Sequence, residues 1–238
     1  MDSNSAKGQS RGKITSGITR EKTLALSTIN FVCEQLPNWR DDPDRPEETS
    51  EDMLNVQLCK FLDSRARQAF PMVRFDREEP QYGRRRVDLA ASPVEATIIG
   101  AKLHTIYDPF LVFEGKRLPA PSFDREKEYV TGLDKRTGGI QRFKLGLHGA
   151  AMDLAAMIGY IQERSPREWY DKINKWIMEL CDGTILDVCV WNEGEILQLM
   201  DEELSKSIAS YKSVHGRNSA KASNKIIIIY HLWITMTR

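Results

Sequence analysis

The chain has 238 residues, with 34 lysines and arginines against 34 aspartates and glutamates, so its formal net charge is zero. Its 41% hydrophobic and 29% charged residues are typical of a globular protein that is long enough to bury a core. No apolar run reaches the ~20 residues that cross a bilayer, and the N-terminus lacks the apolar stretch of a secretory signal. We therefore expect a cytoplasmic protein without a membrane association.

Cysteine and histidine positions argue against a zinc site. The four cysteines lie far apart without a C-x-x-C pair, and the four histidines are equally scattered. His148 in particular is expected to be a packed or surface residue rather than a general base. The spacing predicts reduced cysteines and no zinc framework.

The neutral total conceals an uneven distribution of charge. Residues 40–52 carry seven acids against two arginines, whereas residues 204–238 carry six bases and no acid. Because a phosphate responds to the local potential and not to the whole-protein sum, neutrality does not exclude a nucleic-acid-binding surface. It does argue against tight, indiscriminate coating of DNA.

The N-terminal third is predicted to be helical after a polar tail. Residues 1–20 are rich in Ser, Gly, Lys and Arg and are expected to be disordered. A first helix is predicted over about 21–36, ending near Pro37. A second follows a Pro-containing loop and carries Glu51 in its first turn, where the helix dipole favours an acid.

The middle of the chain is predicted to form strands. Residues 73–78 and 84–91 read as extended segments, and Asp88 lies on the second of them. An insertion of uncertain structure follows at 92–108. Residues 109–118 give the strongest strand prediction, because both faces are apolar, as in a central strand.

The C-terminal half alternates between helix and strand. Residues 139–153 are predicted to be largely helical, and 155–162 to be a buried strand. An amphipathic helix is expected at 166–181, with its tryptophans at core spacing. Segments 207–216 and 225–236 are expected to pair as a hairpin. The order predicts an α/β fold with a mixed sheet flanked by helices and a C-terminal β-hairpin extension.

Two polar residues interrupt the most apolar strand. Glu114 and Lys116 are two apart, so they share one face where the strand emerges. If the preceding strand is its neighbour, Asp88 comes within ~5 Å of Glu114 across the sheet. Two adjacent carboxylates repel, and a hard divalent cation such as Mg²⁺ or Mn²⁺ relieves this. The alternative is an ordinary ion pair at a strand end, with Asp88 bonded to a neighbouring arginine.

Asp88 followed by Glu114-Gly115-Lys116 resembles the D…(D/E)-x-K signature of the PD-(D/E)XK, restriction-endonuclease-like nucleases. The resemblance implies a helix–strand–strand–strand–helix–strand core over about 49–162, bound Mg²⁺ and hydrolysis of DNA. Members often add an acid on the first core helix, which Glu51 matches, and several carry a glutamine after the E-x-K strand, which Gln141 matches. Residues 163–238 would be an extension within one nuclease domain, 21–238.

The resemblance also implies roles for the matched residues. Asp88, Glu114 and Glu51 would ligate the metal, Lys116 would position the nucleophile, and Gln141 would support it. Asp108 is a rival for Asp88, but six residues of extended chain place it ~20 Å from Glu114.

Clusters of basic residues are the expected phosphate contacts. They are Arg84, Arg85, Arg86, Lys135, Arg136, Arg142 and Lys144. Family members of this size often serve bacterial restriction or anti-phage defence beside an ATPase or helicase subunit, and some form homodimers. Two alternatives stay open: a non-catalytic nucleic-acid-binding or scaffold subunit, and an RNA-directed nuclease of the same fold.

Overall fold

The computed structural model describes residues 17–81, 83–99, 102–217 and 219–236. The α-helices are α1 Gly17–Arg40, α2 Glu51–Ala69, α3 Gly139–Lys144 and α4 Pro166–Cys181. The strands are β1 Val73–Pro80, β2 Arg86–Pro93, β3 Thr97–Ile99, β4 Lys102–His104, β5 Leu111–Leu118, β6 Leu154–Ile161, β7 Gln198–Glu203, β8 Ile208–Gly216 and β9 Ile226–Thr235. No helix within these ranges has the length and apolar character to span a membrane.

Seven strands form one mixed sheet in the order β1-β2-β5-β6-β9-β8-β7. The central strands β5, β6 and β9 run parallel to one another, and the remaining neighbours are antiparallel. The pairing of β8 with β9 confirms the expected C-terminal hairpin. The chain is therefore an α/β protein with a mixed sheet flanked by helices.

The two long N-terminal helices cover one face of the sheet. Leu36 and Trp39 of α1 and Leu54 and Leu58 of α2 are fully or almost fully buried in one apolar cluster, which also contains Phe113 of β5. Ser50 caps α2 by accepting a hydrogen bond from the Met53 amide, which fixes the start of the helix beside the sheet. The first turn of α2 consequently begins at Glu51.

Helix α4 and the short α3 pack on the opposite face. Trp169 and Trp176 of α4 are buried with Ile140 and Phe143 of α3 in a second apolar cluster. The prediction that these tryptophans are core residues is thus confirmed. Ser165 and Glu168 form a reciprocal capping box at the start of α4, as expected for an S-P-x-E sequence.

Two helix boundaries were predicted wrongly. Helix α1 runs through Pro37 to Arg40, because burial of Leu36 and Trp39 on either side outweighs the lost backbone bond. The helix predicted over 139–153 ends at Lys144, since Gly146 and Gly149 adopt positive φ angles of 62° and 55°.

The remaining differences concern chain ends and short strands. Residues 1–20 were predicted to be a disordered tail. Of these, residues 1–16 lie outside the described residues, and residues 17–20 belong to α1. The insertion at 92–108 contains a separate two-stranded sheet of β3 and β4. Strand β7, an exposed edge strand rich in acids, had no apolar alternation that would predict it.

Candidate functional site

Asp88 and Glu114 lie on neighbouring strands. Strands β2 and β5 pair antiparallel, with Leu89 opposite Phe113. One step back along β2 and one step forward along β5 therefore bring Asp88 beside Glu114. At this point the Asp88 carboxylate accepts a hydrogen bond of 2.7 Å from the Gly115 amide. Where the two strands separate, the side chain of Asp88 thus makes the hydrogen bond to β5 that a backbone carbonyl makes elsewhere in the sheet.

The Asp88 carboxyl group is forced towards its neutral form. Burial, together with the negative charge of Glu114, raises the pKa of Asp88 to about 8, although Lys116 and the Gly115 amide act against the shift. Asp88 is therefore the member of the carboxyl pair that is protonated more readily.

Glu114 is almost completely buried and is surrounded by positive groups. Its Oε1 atom is 2.7 Å from Nη1 of Arg142 and 3.3 Å from Nζ of Lys116. His148 Nδ1 is 3.1 Å from Oε2, close enough for an ion pair whenever the imidazole is protonated. Burial opposes ionisation, yet Lys116, His148 and Arg142 together hold the pKa of Glu114 well below its usual range.

Glu51 reaches Lys116 from the first turn of α2. The Lys116 ammonium is 2.7 Å from Oε1 of Glu51, while Oε2 accepts a bond of 3.0 Å from the Arg117 amide. Burial opposes protonation of Lys116, but Glu114, Glu51 and Asp88 raise its pKa. The lysine is therefore a charged group held at the end of β5 by two carboxylates.

A close approach of α2 to β5 sets this geometry. The side chain of Asn55, one turn after Glu51, is buried and accepts a hydrogen bond of 2.7 Å from the Tyr160 hydroxyl. Its amide group fills the space beside Gly115. The residue between Glu114 and Lys116 is accordingly a glycine because α2 lies against the strand at that point.

Gln141 does not join the carboxylates. Its side-chain oxygen accepts bonds from the Gly132 and Gly138 amides, and its nitrogen donates to the Leu133 carbonyl and to Asp187. These partners lie in the segment that precedes α3 and in the loop that follows α4. The expected support of the lysine is contradicted by this placement, because both ends of the Gln141 amide are used to hold the loops.

Two residues near Gln141 contact Glu114 instead. Arg142 was predicted only as a phosphate contact, and His148 as a packed or surface residue. The turn after α3, in which the Arg142 carbonyl accepts from the Leu147 and His148 amides, points both side chains at one carboxylate. Sequence spacing gave no signal of this, since the turn depends on Gly146 and on tertiary contacts.

The other predicted phosphate contacts divide into exposed and buried groups. Those exposed to solvent are Arg84, Arg85, Arg86, Lys135 and Arg136. Arg86 is 3.1 Å from Glu78. Lys144 is buried, lies 2.5 Å from Glu195 and is stacked over Trp191. Its ammonium therefore does not face solvent, and the prediction that it contacts phosphate was wrong.

The rival carboxylate Asp108 serves a turn. It accepts hydrogen bonds of 3.0 and 2.7 Å from the backbone amide and hydroxyl of Thr105. These bonds hold the pKa of the Asp108 carboxyl below its usual value. Asp108 is thus accounted for by local structure, and Asp88 is the acid that accompanies Glu114.

The carboxylates suit a hard divalent cation in type but are not assembled around one. Within the described residues, no three His, Cys, Asp or Glu side chains form a ready metal-binding group. Asp88 and Glu114 nevertheless supply oxygen ligands, and Oε2 of Glu114 is buried without a hydrogen-bond donor. A cation could bind here with Asp88, Glu114 and Glu51 as ligands, in competition with Arg142 and Lys116.

Comparison with known proteins returns no match: no protein-family model, curated protein or solved structure is similar to this chain. The structure brings together four ionisable residues, Asp88, Glu114, Lys116 and Glu51, where β2 and β5 separate beside the start of α2. The function of the site is therefore inferred from its own geometry.

Proposed function

We propose that this chain is a metal-dependent nuclease of the PD-(D/E)XK, restriction-endonuclease-like type, which hydrolyses phosphodiester bonds and favours DNA. The observation that carries the proposal is the convergence of Asp88, Glu114 and Lys116 at the point where two neighbouring strands separate. An incidental surface ion pair would not need a buried Glu114 with a second, half-buried carboxyl group beside it.

The order of elements supports the same proposal. Apart from the separate β3–β4 pair between β2 and β5, the elements α2, β1, β2, β5, α3 and β6 follow one another as helix, three strands, helix and strand. In the sheet, β1, β2, β5 and β6 are successive neighbours. This is the arrangement that the D…E-x-K resemblance leads one to expect, with the acidic and basic side chains on β2 and β5.

Each residue has a chemical task in this proposal. A Mg²⁺ or Mn²⁺ ion bound by the carboxylates would polarise the phosphodiester and lower the pKa of a water molecule. Lys116 holds a positive charge where negative charge develops in the transition state. Glu51 bonds both the Lys116 ammonium and the Arg117 amide, and it thereby orients the lysine.

Exposed arginines offer the nucleic-acid contact. Arg84 and Arg85 lie in the turn that leads into β2, the strand that carries Asp88. Arg85 is three residues before Asp88, so a phosphate bound at this turn would lie near the reacting carboxylate. A setting in bacterial restriction or anti-phage defence with an ATPase or helicase subunit stays a prediction that rests on the resemblance.

The test is an incubation of the purified protein with plasmid, linear duplex DNA, single-stranded DNA and RNA, in Mg²⁺, Mn²⁺ or EDTA. We expect cleavage in the divalent cation and none in EDTA. Lys116→Met and Glu114→Gln should lose at least about a hundredfold in rate, as is typical when a charge-stabilising group is removed. Lys60→Met changes an exposed lysine on α2, the helix that carries Glu51, and serves as the matched control.

The result also separates the alternatives. Preferential cleavage of RNA would identify an RNA-directed nuclease of the same fold. Binding without cleavage on all four substrates, in either metal, would support a non-catalytic nucleic-acid-binding subunit and would contradict the proposal. Full activity of both Lys116→Met and Glu114→Gln would remove the catalytic assignment.

A further inference from the structure

Two positively charged side chains contact the same buried carboxylate oxygen, Oε1 of Glu114. Oε1 of Glu114 is 2.7 Å from Nη1 of Arg142 and 3.3 Å from Nζ of Lys116. The shorter of these two contacts is made by Arg142, which therefore neutralises the oxygen that a divalent cation would need. Binding of such a cation to Glu114 requires Arg142 to leave or to weaken its contact.

The two cations differ in how firmly they are held. Lys116 is also bonded to Glu51 at 2.7 Å, and only 10% of its side chain is exposed. Arg142 has 25% of its side chain exposed, and within the described residues its Nε atom finds no hydrogen-bond partner. Arg142 is thus the cation that can exchange Glu114 for a ligand arriving from solvent.

The main chain around Arg142 is fixed independently of its side chain. The Arg142 carbonyl accepts bonds from the Leu147 and His148 amides. The guanidinium of Arg217, which is buried, donates to the carbonyls of Phe143 and Gly149. A change of partner at Arg142 therefore needs only a rotation of the side chain and no refolding of the turn.

We infer that Arg142 couples the binding of a nucleic-acid phosphate to the binding of a divalent cation, an inference that rests on the proposed function. A guanidinium pairs with phosphate as readily as with carboxylate, through the same pair of N–H donors. When a backbone phosphate pairs with Arg142, the guanidinium leaves Oε1 of Glu114, and this oxygen can then bind the metal. Without nucleic acid, the Arg142–Glu114 ion pair keeps the affinity of the site for the metal low.

Linkage makes the inference quantitative. If a phosphate raises the affinity for the cation, the cation must raise the affinity for the phosphate by the same factor. Coupling of this kind is commonly between about fivefold and about a hundredfold. Loss of Arg142 should remove the coupling and at the same time strengthen cation binding in the absence of nucleic acid.

The experiment is a calorimetric titration of Mn²⁺ into the full chain, with and without a short DNA duplex that carries phosphorothioate linkages to resist cleavage. For the wild type we expect the duplex to tighten Mn²⁺ binding about tenfold. Arg142→Gln should bind Mn²⁺ about tenfold more tightly than the wild type without DNA, and the duplex should add nothing further. Arg142→Lys retains a charge and should behave like the wild type.

Arg167→Gln is the matched control, because it removes the arginine of an exposed ion pair with Asp171 on α4. Its Mn²⁺ affinity should equal that of the wild type. The inference is overturned if Arg142→Gln binds Mn²⁺ no more tightly than the wild type, or if the duplex tightens Mn²⁺ binding equally in both. The DNA-free comparison does not depend on cleavage, so its failure is distinct from a failure of the proposed nuclease activity.

Discussion

The side chain of Asn55 occupies the space in which a Cβ atom at Gly115 would lie, with its Oδ1 atom only 2.0 Å from that position. Asn55 cannot easily move aside, because it is buried and accepts a hydrogen bond from Tyr160 on β6. Helix α2 and strand β5 are therefore as close as a glycine allows. This approach is what lets Glu51, one helical turn earlier, reach Lys116.

Gly115→Ala tests this relationship. The added methyl group collides with the Asn55 amide, so α2 must shift away from β5 or the amide must give up its bond to Tyr160. We expect a loss of about 1–3 kcal/mol in the free energy of unfolding, measured by urea denaturation, and a weaker nuclease.

Gly194→Ala is the control for a change of glycine to alanine. A Cβ atom at Gly194 meets no heavy atom within 4 Å, and the residue does not have a positive φ angle. Its free energy of unfolding should stay within about 0.5 kcal/mol of the wild type. Equal stability of the two variants would show that the Asn55–Gly115 approach is not as tight as the structure has it.

Asp88→Asn addresses the repulsion between the two carboxylates. Asparagine is neutral, so folding no longer has to hold an acidic group beside Glu114 against its usual ionisation, and the asparagine oxygen can still accept from the Gly115 amide. We expect a higher melting temperature than the wild type in EDTA near neutral pH. In Mn²⁺, the wild type should gain stability and Asp88→Asn should gain little, as thermal unfolding would measure.

Asp108→Asn provides the comparison for Asp88. Asp108 bonds Thr105 in a turn, so its substitution should leave the stabilisation by Mn²⁺ intact. If Asp108→Asn abolished the effect of Mn²⁺ and Asp88→Asn did not, the choice of Asp88 as the metal ligand would be wrong.

The part of the site that lies on strands could be predicted from the sequence. The apolar pattern of 109–118 indicates a central strand, and alternation along that strand puts Glu114 and Lys116 on one face. Asp88 comes beside Glu114 because β2 is the neighbour of β5. The shared face of Glu114 and Lys116 follows from local periodicity, whereas the approach of Asp88 depended on the condition that these two strands are neighbours.

The part of the site that lies on turns could not be predicted in this way. Gln141 and Arg142 are adjacent, and only the direction of a six-residue helix decides that Arg142 faces Glu114 while Gln141 holds the loops. His148 returns to the same carboxylate through glycine-dependent backbone angles after that helix. Such contacts depend on tertiary packing, of which hydrophobic periodicity carries no trace.

A second buried polar network lies on β8 and the 3-10 turn before β7. Glu195 is 2.5 Å from Nζ of Lys144, and it accepts a bond of 2.9 Å from the Gly216 amide. The His215 ring lies between Glu195 at 3.3 Å and the Ser213 hydroxyl at 2.7 Å. Burial opposes ionisation, but His215 and Lys144 lower the pKa of Glu195 to about 2.

Glu195→Gln should therefore have an effect that depends on pH. Because the pKa of Glu195 is lower in the folded state than its ordinary 4.5, its contribution to stability is complete above about pH 5 and is lost as the pH falls towards about 2. Near pH 7 we expect Glu195→Gln to lose about 3 kcal/mol in the free energy of unfolding, since buried Lys144 is left unpaired. Urea denaturation of both proteins across this range should show the difference narrowing as the pH falls. A difference that stays constant down to about pH 3 would contradict the ion pair between Lys144 and Glu195 as its cause.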